Sequence, residues 1–239
     1  MYKRQCLLGA CNITVLWEVI RSRQIKILSL FVRDVEHRAL GVLVIVVTGL
    51  GLVFTGVQQF GTVLVEAIFF VSSAGFDYHV IGLEISPQGL LIALALIGGS
   101  ALSTAGGVKL IRILLLFRHV ETDLGRLTHP SRLIPVKFRG QVLPDEAFLS
   151  VWMYFFGYTM VFAAGILAFS IVGLNFDMAV AACAASLANI GPLLDMTLPP
   201  YSFDAFTDLQ LFVSSVLMIM GRVEVLAAFA ALSPGLWRA

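Results

Sequence analysis

Three apolar blocks, residues 39–57, 147–172 and 209–232, each approach the roughly 20 residues that carry a helix across about 30 Å of hydrocarbon. Two further apolar segments, 62–72 and 177–187, are too short to cross. As helices they would rise roughly 16 Å, about half the hydrocarbon thickness, so each must turn back inside the membrane. Composition agrees with a lipid solvent: 59% of residues are hydrophobic and 13% charged, against roughly 45–50% and about 25% in soluble domains. The run 6–20 contains Asn12 and Glu18 and lacks a small-residue cleavage pattern, so no processed export leader is expected there.

The 16 Lys and Arg residues fall into three groups. Lys3, Arg4, Arg21, Arg23, Lys26, Arg33 and Arg38 precede the first block; Lys109, Arg112, Arg118, Arg126, Arg132, Lys137 and Arg139 sit mid-chain; Arg222 and Arg238 close it. Basic residues stay on the cytoplasmic side, so these segments and both termini are expected there. The complementary stretches 58–88 and 173–209 hold Glu66, Asp77, Glu84, Asp177, Asp195, Asp204 and Asp208 and no Lys or Arg. They are expected to face outward, where an acidic mouth either concentrates cations or is simply solvated. Cys6, Cys11 and Cys183 are an odd number, expected as free thiols. His37, His79, His119 and His129 lack metal-ligand spacing.

With its turns in place, the chain reads as one pattern repeated: span, half-span, span. The first unit is 39–57, then 62–72 ending in Ser73-Ala74-Gly75-Phe76, then the long apolar stretch 88–118. The second is 147–172, then 177–187 ending in Ala188-Asn189-Ile190-Gly191-Pro192, then 209–232. Non-helical backbone at mid-membrane depth is tolerated only inside protein or beside a watery cavity, where these glycine-containing turns belong. A half-helix also aims its partly negative C-terminus at the membrane centre, and the carbonyls beyond can replace a cation's hydration shell. Interfacial helices followed by turns would have the same composition, but the duplication favours pore loops. The expected organisation is a cytoplasmic or interfacial lead-in over 1–38, a pore repeat over 39–118, a cytoplasmic basic loop over 119–146 and a second pore repeat over 147–239.

Two features disturb the apolar pattern. The stretch 88–118 is interrupted by Gly98-Gly99-Ser100-Ala101-Leu102-Ser103-Thr104-Ala105-Gly106-Gly107, followed by Lys109. Four glycines among small polar residues do not hold a stiff helix. The segment lacks the Gly-x-x-x-x-Gly-Lys-[Ser/Thr] spacing of a phosphate loop, so a hinge beneath an ion path, or close packing through small residues, explains it better. An intramembrane hydrolase using Ser100, Ser103 or Thr104 would need a base, and no His lies in an apolar segment nearby. The second feature is Gly221-Arg222-Val223-Glu224, charged residues inside an apolar run. Such groups face a bundle interior or a water-filled path, or else snorkel to the membrane edge.

These residues also carry a family likeness. Gly98-Gly99-Ser100-x-x-Ser103-Thr104-Ala105-Gly106-Gly107-Val108-Lys109 resembles the GGSxGSTAGGIK signature of the Trk/Ktr/HKT potassium transporters. Ser73-Ala74-Gly75-Phe76 is similar to their T-T-G-F filter turn, Asn189-Ile190-Gly191-Pro192 to their N-I/V-G-P turn, and Gly221-Arg222-Val223-Glu224 to their G-R-L/I-E stretch. His129-Pro130, Pro135-Val136, Gly140-Gln141-Val142 and the closing Ser233-Pro234-Gly235-Leu236-Trp237-Arg238 resemble the Trk branch.

The resemblance implies an all-α integral membrane fold of four span–pore-loop–span repeats about a pseudo-fourfold pore, of which this chain holds the third and fourth. Residues 6–23 resemble the segment that follows the second repeat, so a longer product or a half-length subunit is expected. It further implies potassium as substrate, no bound cofactor, no enzymatic activity and no nucleic-acid partner. The filter would comprise Ser73, Ala74, Gly75 and Phe76 with Ala188, Asn189, Ile190 and Gly191; the gate would comprise Gly98, Gly99, Ser100, Ser103, Thr104, Gly106, Gly107, Lys109 and Arg222. Implied partners are an N-terminal half or homologous half-subunit, a second copy in a homodimer, a cytoplasmic nucleotide-binding regulatory subunit and the bilayer of the cytoplasmic membrane. Leu102 replaces a common Gly of the signature, and Ala74 a frequent Thr of the filter. Gly75 and Gly191 are kept, which favours potassium over the sodium permeation associated with Ser there. A non-conducting accessory half, or a sodium-permeable member of the same family, is the alternative role.

Overall fold

The computed structural model describes residues 34–73, 87–99, 106–128, 137–138, 141–142, 145–195 and 202–223. The residues after Asp34, rich in Leu, Val and Ile from Leu40 onward, form helix α1 (Val35–Thr55), which ends at Gly56 with φ 78°. It begins before the apolar block because the polar lead-in joins it: Asp34 Oδ2 accepts from His37 Nδ1 at 2.7 Å, and Glu36 is buried. One 3-10 turn (Val57–Gln59) then reverses the chain into α2 (Phe60–Val71). Helix α3 (Gln88–Ile97) starts after Pro87, which suits a helix start, and stops at Gly98 with φ 73°. Helix α4 (Leu110–Thr128) follows the glycine break.

The stretch expected as a loop over 119–146 begins as helix, because α4 continues to Thr128. Arg118–Glu121 at 2.9 Å, Arg126–Asp123 at 3.3 Å and His119–Asp123 at 3.4 Å are neighbours on one helix surface. Pairs at these spacings support a helix by a few tenths of a kcal/mol each. Beyond it, Lys137–Phe138 pairs antiparallel with Gln141–Val142, the only strand pairing among the described residues.

Helix α5 (Asp145–Ile171) is the longest described, and α6 (Phe176–Ala188) returns from it. A four-residue α7 (Pro192–Asp195) and a 3-10 turn (Phe203–Ala205) lead to α8 (Asp208–Arg222). The rest of the block 209–232 lies outside the described residues. Gln210 fixes the start of α8: its Oε1 accepts from the Thr207 amide at 3.0 Å, and its Nε2 donates to the Val172 carbonyl at 3.3 Å.

Val35–Thr55 and Phe148–Ile171 are long and apolar enough to cross a membrane. Helices α2 and α6, of 12 and 13 residues, are not; they rise only about 18–20 Å. Helix α6 is the centre of packing, touching α3, α5 and α8. Its small residues permit this, and Ala179, Ala182, Cys183, Ala184 and Ala185 are fully buried. At Gly165 of α5 an added Cβ would collide with Cys183 Sγ of α6 at 2.6 Å, so glycine sets the closest approach of these helices. Cys183 is free, and its thiol donates to the Phe162 carbonyl at 3.4 Å; Cys6 and Cys11 lie outside the described residues. Ile45, Val53, Met160, Ile171, Phe212 and Ile219 are exposed, giving the outer surface an apolar character that lipid solvates better than water.

Candidate functional site

Helices α2 and α6 each run into a non-glycine residue with positive φ. The last turn of α6 is closed by Asn189 in the left-handed conformation (φ 55°, ψ 39°): its amide donates to Ser186 O at 3.2 Å, and the Ile190 amide donates to Ala185 O at 3.0 Å. This is a Schellman cap, with Asn in the position glycine usually takes. At the end of α2, Ser73 has φ 45° and its amide donates to Phe70 O at 3.1 Å, the equivalent bond of the same motif. Ser73, Lys109 and Asn189 are the non-glycine residues with positive φ among those described. Each belongs to a different one of the motifs singled out in the sequence, and such backbone outliers concentrate at functional sites.

The two described ends of the glycine break lie side by side. The Val108 amide donates to Leu96 O and the Leu110 amide to Gly99 O, both at 2.9 Å, so the backbone on either side of the break is paired. A Cβ on Gly107 would lie 2.8 Å from Gly98 Cα, and one on Gly98 would collide with the Gly106 carbonyl. Glycine is required at both positions by contact as well as by φ.

Gly106 joins the three motifs. Its amide donates to Ser73 Oγ at 3.1 Å, and a Cβ on it would strike the Ala188 carbonyl. Ser73, Gly98, Gly106 and Ile190 all line one small gap that admits no water molecule. Helix α8 holds the second turn from its other side. Asn189 Nδ2 donates to Met218 O at 3.2 Å, and Gly221 abuts the Leu187 carbonyl, leaving no room for a Cβ. Arg222, the last residue of α8, is exposed on this chain one residue beyond that contact.

Of the residues expected at the site, the structure brings together Ser73, Ala188, Asn189, Ile190, Gly98 and Gly106, with Gly99, Gly107 and Lys109 completing the described part of the break. Gly191 follows Ile190 with open space where a Cβ would be. Ala74, Gly75, Phe76, Ser100, Ser103 and Thr104 lie outside the described residues. The family resemblance raises the expectation of Asn189 in a filter but does not announce its role as a cap. An Asn directly after an apolar helix and before Gly-Pro is nonetheless a legible signal for one.

Residues 3–234 match the profile of the TrkH family, described as a cation transport protein. The chain is 32% identical over 244 residues to the Trk system potassium uptake protein TrkH of Escherichia coli K12, covering 97% of this chain and 49% of that protein. It is 31% identical over 242 residues to the Trk system potassium uptake protein TrkG of the same organism, covering 97% of this chain and 48% of that one. The crystal structure of the potassium transporter TrkH from Vibrio parahaemolyticus matches with a TM-score of 0.81 at 31% identity, over 97% of this chain and 51% of that chain. The chain spans about half the length of the curated relatives it matches. Matched along nearly its whole length by sequence and by fold, this helical membrane protein belongs to the TrkH cation transport family.

Proposed function

We propose that this chain forms part of a potassium pathway across the cytoplasmic membrane, conducting ions rather than catalysing a reaction. The observation that carries this reading is the convergence of two half-helix ends, capped by Ser73 and Asn189 in left-handed geometry, on one glycine, Gly106. Half-helices that end inside the membrane present carbonyls and negative dipole ends, which favour a cation over an anion. In this reading Ser73, Ala74, Gly75 and Phe76 form one filter segment and Ala188, Asn189, Ile190 and Gly191 another. Gly98, Gly99, Ser100, Ser103, Thr104, Gly106, Gly107, Lys109 and Arg222 form the gate on the cytoplasmic side of the filter.

The two units correspond to the third and fourth of four repeats. Two filter segments enclose only part of an axis, and exposed carbonyls facing lipid are too costly to persist. A homologous half, in one polypeptide or as a partner, completes the pore; a second copy and a cytoplasmic nucleotide-binding regulatory subunit complete the assembly. Both termini face the cytoplasm, as the Lys and Arg distribution favours. The test is rubidium uptake in cells lacking their own potassium uptake. The chain expressed with a homologous half is expected to restore uptake, and the chain alone to give none. Robust selective flux from a monomer of this chain would overturn the shared-pore reading, and no flux from any completed assembly would overturn the transport reading.

A further inference from the structure

Arg112 occupies the first turn of α4, directly after the glycine break. Its amide donates to Lys109 O at 3.1 Å, and its Nη1 donates to Val108 O at 3.4 Å, so both ends of the residue hold the backbone that leaves the break. The guanidinium carbon lies 3.7 Å from the centroid of the Tyr154 ring on α5, well inside cation–π range. Tyr154 is buried and stacks with Tyr158, its rings 6.2 Å apart and 25° from parallel. Two turns further along α4, His119 stacks on Phe148 of α5 at 4.6 Å. The two helices are thus zipped antiparallel at two points, and the first grips the edge of the break.

We propose that Arg112 is a positioning residue for the gate: clamped on Tyr154, it holds the Val108 carbonyl and the paired edge of the glycine break against α5, and opening requires that clamp to loosen. This rests on the gate reading above. The left-handed Lys109 explains why an outside anchor is needed. A non-glycine residue with φ 75° persists only when its surroundings over-determine it. Across the break, the pairing of Val108 with Leu96 and of Leu110 with Gly99 is made of two hydrogen bonds. The grip of Arg112 on Tyr154 ties that pairing to a buried ring of a neighbouring helix.

The test compares Arg112→Gln, Tyr154→Leu and Tyr154→Phe in the transport-competent assembly, with two readouts. Hydrogen exchange at the Val108 and Leu110 amides is expected to quicken by about three- to tenfold in Arg112→Gln and in Tyr154→Leu, the range one cation–π contact sustains. Tyr154→Phe keeps the ring face and is expected to stay near the unsubstituted rate. The double variant Arg112→Gln with Tyr154→Leu should be no faster than either single one. Rubidium flux should rise in the same two single variants with the potassium-to-sodium ratio unchanged, which a general loss of folding would not produce. Unchanged exchange in both variants, or equal effects of Tyr154→Leu and Tyr154→Phe, overturns the clamp. Because the exchange readout needs no transport, absence of flux with the expected exchange pattern would count against the potassium reading alone. If Arg112→Gln does not fold, the two Tyr154 variants decide.

Discussion

The Gly106 amide donates to the Ser73 hydroxyl at 3.1 Å, tying the glycine break to the cap of the first half-helix. On its other side the same glycine meets the Ala188 carbonyl at the end of the second half-helix. A residue with a side chain cannot serve both contacts, so this one position couples the geometry of the two helix ends to that of the glycine break.

Gly106→Ala is therefore expected to push the break away from α6 and destabilise the fold by about 1–3 kcal/mol, the usual cost of overpacking. Gly221→Ala, which meets the Leu187 carbonyl, should do the same for α8. Gly191→Ala has open space at its Cβ and is the control, expected to leave stability unchanged. Thermal unfolding of the three variants in detergent decides: equal losses at all three positions would show that these glycines are not packing sites.

The apolar blocks make the helices legible in the sequence, because lipid imposes length and composition together: residues 39–57 correspond to Val35–Thr55, and 177–187 to Phe176–Ala188. Placement of the motifs relative to one another is not legible there. The glycines announce a break after Ile97, but Gly106 meeting Ala188 is a contact between distant parts of the chain that no local pattern encodes. The same holds for Arg112 on Tyr154. The extension of α4 to Thr128 escapes for a different reason. Arg118 and Arg126 speak for topology through their charge, while their spacing to Glu121 and Asp123 also speaks for a helix.

Asn189 combines a left-handed backbone with a side-chain tie to Met218 O. Asn189→Gly keeps the backbone freedom and loses only the tie, at a cost of about 1 kcal/mol. Asn189→Ala loses the tie and adds left-handed strain of about 1–2 kcal/mol. The expected order of thermal stability is Asn, then Gly, then Ala. An Ala variant as stable as the Gly variant would mean that the cap carries no strain.

For selectivity, Gly191 is the informative position because its open surroundings separate a filter effect from a folding effect. Gly191→Ser should fold normally yet lower the potassium-to-sodium permeability ratio of the completed assembly, since a hydroxyl-bearing side chain then stands beside the turn's carbonyls. Gly75→Ser is expected to act alike at the first turn. Reversal potentials under bi-ionic conditions measure this, and an unchanged ratio in both variants removes these turns from the filter.

Arg222 follows directly on Gly221, which abuts the carbonyl of Leu187 two residues before the cap of the second half-helix. Its charge therefore sits next to the packed end of α6 and, in the proposed reading, beside the filter. It is exposed on the surface of this chain, so a fixed cation there can face the path of the completed pore. A positive charge beside a cation path raises the barrier to passage, and at an effect of about 1 kcal/mol its removal changes a rate roughly fivefold. Arg222→Ala is expected to raise rubidium flux per folded molecule by about that factor, and Arg222→Lys to leave it near the unsubstituted value because the charge is kept. A purely structural Arg222 predicts the opposite pattern, lower yield and no gain per molecule. Flux normalised to protein recovered as a single folded species separates the two, and an Arg222→Ala variant that never exceeds the unsubstituted protein rules out the barrier.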